Sequence, residues 1–344
     1  MKSLFYILLA TLSIVFLFII LSSVGERYNN KDIHNNIIHD SRSIFKLIKW
    51  KLFNKKSNTQ WPKHVDVKQL DPSLITQTNT NLKVSYITHS TFLIQNNNIN
   101  IITDPVLFSS IGIFEKYLKV DLVHSPGIKP NDLPKIDYVL ISHNHYDHLD
   151  KKSIIFLRNK FNPVFIMGKG NCKYLKNILH KCVEMQWNER FTITKDNKSI
   201  DIFYLRAKHW SKRGLFDTNK TLWGAFAMIS DNAKLYFAGD TAYHDHFKEA
   251  QEKFEYFDIA LLPIGSYEPE WFMKEHHLSP SQSILTHRDL KAKISIPMHY
   301  KSIKLSDEGY YKPIFDLKNA IETNNIDEKE FLILDIGEVY EKKD

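Results

Sequence analysis

The stretch Ile141-Ser142-His143-Asn144-His145-Tyr146-Asp147-His148-Leu149-Asp150 narrows the folds open to this chain more than any other. Just ahead of it, Tyr138-Val139-Leu140-Ile141 is a short apolar block with β-branched and aromatic members, the pattern of a buried strand. Behind it, from Leu149 to Leu157, apolar residues recur at near-helical spacing. The motif therefore falls where a strand gives way to a helix. So many imidazoles and carboxylates are costly in a dry core, because each needs a polar partner once desolvated. The same groups are the nitrogen and oxygen donors that zinc and similar ions take. His143 and His145, two apart on extended backbone, face one side and can share one ion. Asp147 and His148, entering the helix, can turn toward a second. A strand followed by H-x-H-x-D-H reads as a metal site.

The pattern resembles the metallo-β-lactamase superfamily signature, which implies a site for two ions with further ligands at later strand ends in the order His, Asp, His. This chain has four strand-then-polar units after the motif. Ile202-Phe203-Tyr204-Leu205 leads to Arg206-Ala207-Lys208-His209-Trp210; Leu235-Tyr236-Phe237-Ala238 leads to Gly239-Asp240-Thr241. Ile259-Ala260-Leu261-Leu262 leads to Pro263-Ile264-Gly265-Ser266-Tyr267, and Ile294-Ser295-Ile296 leads to Pro297-Met298-His299. Asp240 is the natural bridge, since one carboxylate can offset part of the charge of two adjacent cations. His209 then completes the first ligand set and His299 the second. Upstream, Val84 to Ile87, Thr91 to Ile94 and Ile99 to Ile102 read as strands, the last ending in Thr103-Asp104-Pro105. A carboxylate at that strand end is a candidate partner to orient ligand histidines; as a turn cap it would have no such role. Leu107 to Pro134 reads as a loop-rich lid broken at Pro126-Gly127.

The other histidines lack such a setting. His244 and His246 read as surface residues at a helix start, His89 as a structural residue at a strand turn, and His124, His180 and His287 have no supporting context. Cys172 and Cys182 are too few for a disulfide framework or a cysteine-based zinc site, and read as small core or helix residues.

The metal motifs resemble the signature of the metallo-β-lactamase superfamily. Gly265-Ser266-Tyr267-Glu268-Pro269-Glu270-Trp271-Phe272-Met273-Lys274 and His277-Leu278-Ser279-Pro280 are similar to the matching stretch of one branch, the N-acyl-phosphatidylethanolamine-hydrolysing phospholipases D and their bacterial relatives. So are His209-Trp210-Ser211, Gly239-Asp240-Thr241 and Thr103-Asp104-Pro105; the likeness runs over about residues 80 to 320. The resemblance implies an α/β fold, the αββα sandwich, and two zinc ions. It also implies hydrolysis of a phospholipid phosphodiester by a hydroxide generated between the metals. Carried over by position, it implies the ligands His143, His145, Asp147, His148, His209, Asp240 and His299. His277 becomes the substrate-side histidine, donating to a phosphoryl oxygen or the leaving group, and Asp147 also orients the hydroxide. One departure is Lys301-Ser302 after His299-Tyr300, where the family usually has Gly-Thr; it sets a cation near the pocket. Two other readings stay open: a lactonase or other small-substrate hydrolase on the same site, and a non-catalytic membrane-associated scaffold. A scaffold has no physical need for so complete a ligand set.

At the amino terminus, Leu4 to Leu21 is almost unbroken Leu, Ile, Phe, Val and Ala, close to the ~20 residues of a membrane span. Ser22-Ser23-Val24-Gly25 would serve as a signal-peptide exit, but the apolar run is longer than a signal's, so an uncleaved single-pass anchor is expected, as in a bacterial inner membrane. Lys2 on one side and Arg27 and Lys31 on the other leave its orientation open. The expected division is therefore a span over 1–25, a basic polar extension over 26–80 and a hydrolase domain over 81–344. Much of the +7 net charge sits in the extension, where Ile44 to Lys56 interleaves cations with Phe, Leu and Trp. That suits an anionic lipid surface as well as a helix packed on the domain. No series of aromatic stacking platforms for nucleic acid is present, so the partners expected are a membrane and a phosphodiester substrate.

Overall fold

Runs of Val, Ile, Phe and Tyr form the strands expected of them. The computed structural model describes residues 27–28, 60–76, 81–114 and 118–342. After helix α1 (Ser73–Thr76) come β1 (Lys83–Thr88), β2 (Thr91–Asn96), β3 (Ile99–Thr103), the hairpin β4 (Ser110–Phe114) and β5 (Leu118–Asp121), and β6 (Tyr138–Ile141). Helix α2 (Lys151–Phe161) leads to β7 (Val164–Gly168), β8 (Cys182–Met185), β9 (Arg190–Lys195), β10 (Lys198–Leu205), β11 (Ala225–Ile229) and β12 (Lys234–Phe237). Then follow α3 (His246–Phe254), β13 (Phe257–Pro263), α4 (Glu270–Met273), α5 (Pro280–Asp289), β14 (Ala292–Met298), α6 (Lys312–Thr323) and β15 (Val339–Glu341). One sheet runs β15-β1-β2-β3-β6-β7-β8 and the other β14-β13-β12-β11-β10-β9.

Side chains alternate across the first sheet, as the two-residue strand period requires. Tyr86, Phe92, Ile94, Leu140 and Ile166 enter the core shared with Tyr204, Phe226, Phe237 and Leu261 of the second sheet. Their neighbours Ile87, Leu93, Val139, Ile141 and Phe165 face outward, onto Ile154 and Leu157 of α2. On the far side α5 packs against β13, β14, α3 and α6. Helix, sheet, sheet, helix: this is the αββα sandwich expected. The parallel neighbours β3-β6 and β12-β13-β14 end at one rim, where open sheets of this kind bind their ligands.

Two expectations need correction. Cys172 and Cys182 are bonded to each other rather than lying separately in a core or helix. Residues 107–134 are not an open lid: they carry the β4–β5 hairpin, and the Gly127 amide donates to the Ile87 carbonyl at 2.8 Å. Packing also reaches upstream of residue 81, with Ile75 buried and the Trp61 indole donating to the Glu308 carbonyl at 2.9 Å. The expected span over 4–21 and the amphipathic tract 44–56 lie outside the described residues; among the described ones, no helix is long and apolar enough to cross a membrane.

Candidate metal centre

Every ligand candidate sits just past a strand end, and the strands carry them to one place. His143, Asp147 and His148 follow β6, His209 follows β10, Asp240 follows β12 and His299 follows β14. One potential ligand atom each from His143, His145, His209 and Asp240 lie within 4.8 Å of one another; the same holds for His89, Asp147, His148 and His299. Asp240 stands between the two nests. Its Oδ2 lies 3.2 Å from Nε2 of both His148 and His299, and 3.8 and 4.0 Å from Nε2 of His209 and His143. Its Oδ1 is buried with no hydrogen-bond partner among the described residues. His145 Nε2 is likewise buried and without one. Leaving so many polar atoms unsatisfied would cost about 1–3 kcal/mol each unless a cation meets some of them. In the first nest His145 Nδ1 is 3.3 Å from His209 Nε2 and 2.8 Å from His143 Nε2. The 3.3 Å separation is what tetrahedral Zn–N bonds of about 2.0–2.1 Å require, and the 2.8 Å one is shorter. Three imidazoles and a carboxylate are a donor set that fits a metal ion.

Behind the nests, a set of acceptors turns the rings. Asp104, fully buried at the end of β3, accepts from His148 Nδ1 at 2.7 Å, from Ser142 Oγ at 2.6 Å and from the Ser142 amide at 2.7 Å. Ser142 Oγ in turn lies 2.9 Å from His143 Nδ1. His209 Nδ1 donates to the His276 carbonyl at 2.9 Å. Each Nδ1–H so held leaves Nε2 with its lone pair toward the nest. Arg213 holds the motif loop itself: Nη1 donates to the carbonyls of Leu149 (2.6 Å), Asn144 (3.2 Å) and His145 (3.3 Å), with the guanidinium stacked over Tyr146. Gly239, at φ +58°, lets the Asp240 turn pass Ser142, whose Cβ would lie 2.6 Å from any Cβ added there.

The local fields sort the protonation states. Burial drives His145 down to about 4 and His143 and His209 well below the ordinary imidazole range, so all three are neutral donors. Burial also opposes charge on Asp147 and Asp240, but neighbouring imidazoles, His148 foremost, outweigh it and hold both carboxyls well below their usual range. Burial works against protonation of His148 and His299 too. There the carboxylates of Asp240 and Asp147 prevail, raising His148 well above its ordinary value and His299 to about 9. The protein thus concentrates negative charge between the nests and answers it with protons that a dication would displace.

All eight residues expected in the site are together, including His277, whose Nδ1 is 3.8 Å from Asp240 Oδ2 and whose side chain, 12 % exposed, is more open than that of Asp240 at 2 %. Sequence reading missed His89, which joins the second nest rather than merely turning a hairpin. It missed the His276 carbonyl, a backbone atom any residue would supply, and Arg213, whose side chain acts on backbone carbonyls distant in sequence. His246 is not a surface residue: it is buried, 3.2 Å from Thr241 Oγ1 beside Asp240. His124 is buried on Ser302. Lys301 lines a cavity of about 250 Å³ with Tyr86, Tyr310 and Asp335, its ammonium 5.4–5.9 Å from three tyrosine rings.

Residues 99–300 match the family described as the beta-lactamase superfamily domain, and the chain belongs to that superfamily, as a metal-dependent hydrolase of the metallo-β-lactamase fold. The chain is 34 % identical over 274 residues to N-acyl-phosphatidylethanolamine-hydrolyzing phospholipase D 1 of Caenorhabditis elegans, covering 76 % of each protein. It is 36 % identical over 221 residues to the mitochondrial N-acyl-phosphatidylethanolamine-hydrolyzing phospholipase D of Saccharomyces cerevisiae, spanning 63 % of this chain and 47 % of that one. Within the superfamily it is a member of this phospholipase D branch. A metallo hydrolase from the archaeon Ignicoccus hospitalis shares the fold, with a TM-score of 0.55 at 20 % identity over 77 % of this chain and 99 % of that one.

Proposed function

We propose that the chain is a dinuclear zinc phosphodiesterase of phospholipase D type, acting on N-acyl-phosphatidylethanolamine or a related phospholipid. The observation that carries the reading is Asp240 Oδ2, which faces nitrogens of both nests at once while Oδ1 has no other partner among the described residues. His143, His145 and His209 would hold one ion, Asp147, His148 and His299 the other, with Asp240 shared. Zinc held by these residues would supply Lewis-acid chemistry and an activated water near neutral pH. The chain's own groups do the rest. Asp147 orients the nucleophile. Burial takes His277 to about 3, so its neutral ring donates a hydrogen bond to a phosphoryl oxygen of the substrate rather than carrying charge there. Asp104, Ser142 and the His276 carbonyl keep the ligand rings from rotating. The apolar run 4–21 serves as a membrane anchor, which brings a lipid substrate to the site.

The test is zinc-loaded protein assayed on N-acyl-phosphatidylethanolamine in mixed micelles, on a lactone and on a generic phosphodiester. Phospholipid turnover that releases phosphatidic acid is expected; turnover of the lactone alone would overturn the reading. Removal of residues 1–25 should leave micellar turnover intact and abolish attachment that withstands a salt wash.

A further inference from the structure

We propose that His89 is a positioning residue of the second nest, donating its Nε2 hydrogen to Asp147 and fixing that carboxylate and His299 relative to each other. The inference rests on the dinuclear reading above. His89 sits at the turn between β1 and β2 with φ +48°, its ring buried. Nε2 lies 3.2 Å from Asp147 Oδ2, and the ring packs on His299 with centroids 4.2 Å apart. Its backbone is tied on both sides. The carbonyl accepts from the His299 amide at 3.0 Å and from the Tyr86 hydroxyl at 3.1 Å. The amide donates to Ser302 Oγ at 3.1 Å, and that hydroxyl is held by His124 Nε2 at 3.0 Å. One residue therefore joins the first hairpin of the fold to the loop after β14 and, through its ring, to the loop after β6.

A turn alone would not require histidine here. The next hairpin, between β2 and β3, meets the same left-handed demand with Asn97 and Asn98, at φ +51° and +62°. Asparagine and glycine answer that demand at less cost than a buried imidazole. Nor is His89 needed as a ligand, since Asp147, His148, Asp240 and His299 already converge there. Its Nδ1 is buried and has no hydrogen-bond partner among the described residues, so no acceptor holds a proton on that nitrogen as Asp104 does for His148. The proton belongs on Nε2, aimed at Asp147. His299 also has a bare Nδ1, but its Nε2 reaches both Asp147 and Asp240, at 3.4 and 3.2 Å. Ser302 supplies the hydroxyl this arrangement uses.

The experiment is cobalt(II) titration of the stripped full-length protein against a competing chelator, with the d–d absorption of each equivalent recorded. His89→Gly keeps the left-handed turn and removes the ring. It should weaken the second equivalent about 10–100-fold and leave the first within about twofold. His89→Gln carries an amide N–H of similar reach and should recover most of that loss, with the parent's second-site spectrum. Equal weakness of Gly and Gln, with an altered spectrum, would make His89 a ligand and overturn the proposal; parental affinity in Gly would make it a turn residue only. Parent protein that binds a single equivalent would instead refute the dinuclear reading, which separates the two failures.

Discussion

Replacing Asp104 by Asn tests whether the site depends on oriented imidazoles rather than on ligand identity alone. Asp104 lies in neither ligand set of the proposed site, and it is fully buried at the end of β3. Asparagine fits the same space and can still accept from the Ser142 amide through Oδ1. The other oxygen becomes an NH₂ group, which then faces two donors, His148 Nδ1–H at 2.7 Å and Ser142 Oγ–H at 2.6 Å. Two charge-assisted hydrogen bonds, each worth about 1.5–3 kcal/mol, are thereby lost. His148 escapes the clash only by moving its proton to Nε2, which removes the lone pair aimed at the nest. The second metal should bind about 10–100-fold more weakly, or about 1.4–2.8 kcal/mol. The first nest, reached only through Ser142 and His143, should lose about fivefold or less. Zinc titration of stripped protein against a chelating indicator reads both equivalents, and a thermal melt confirms folding. A folded variant whose second equivalent binds as in the parent would refute the reasoning and leave Asp104 as a turn residue at φ +32°.

Asp240→Asn should strip metal and cost two to three orders of magnitude in turnover, roughly 3–4 kcal/mol, whereas His277→Ala should keep both metals and slow turnover alone; elemental analysis beside rates decides, and metal loss in His277→Ala would make it a ligand. Metal affinity should rise with pH, because an incoming ion must displace protons that the carboxylates hold on His148 and on His299, the latter at about 9. The sign for stripped protein is opposite: both imidazoles are raised, so their contribution to stability is complete below about pH 6.5 and disappears as pH climbs through about 9. Chelator competition and melts from pH 6 to 9 would show both trends, and flat profiles would contradict them. Gly239→Ala forces a side chain into φ +58° and against Ser142 Cβ at 2.6 Å, and should destabilise by about 2–4 kcal/mol, read as a lower thermal midpoint.

The convergence of the candidate ligands was legible in the sequence because metal chemistry restricts residue type and because β-sheets present their strand ends on one rim. His143, His209, Asp240 and His299 each follow an apolar β-branched block, and strand blocks are the part of a fold that local pattern reports best. Asp104 was legible for the same reason, lying at the end of β3. What escaped was of another kind. The His276 carbonyl holds His209 as any residue's carbonyl could, so its identity carries no signal. Arg213 acts on three carbonyls of a loop that precedes it by more than sixty residues, a contact decided by how the two sheets face each other. His246 sits on a helix of mixed polarity, and only the packing of α3 beneath Asp240 buries it. The cysteines failed for a related reason, since pairing depends on where the short segment before β8 returns.

These omissions have a common physical basis that bears on how the site works. Ligands are few and chemically distinctive, but a ligand binds well only if its ring is held at the right angle, and the groups that hold it are ordinary. In this protein those groups form a connected layer behind both nests. Asp104 turns His148 directly and His143 through Ser142, while His89 and Ser302 join the loops on either side of the second nest. His89, Asp104 and His299 all adopt left-handed backbone, a conformation costing about 1–3 kcal/mol for residues other than glycine and tolerated where surrounding contacts enforce it. Those contacts are the hydrogen bonds of this same layer. Changes in the layer should therefore alter metal affinity before they alter the fold, whereas changes in the inter-sheet core should do the reverse. That ordering distinguishes a site built by its supporting residues from one that its ligands assemble alone.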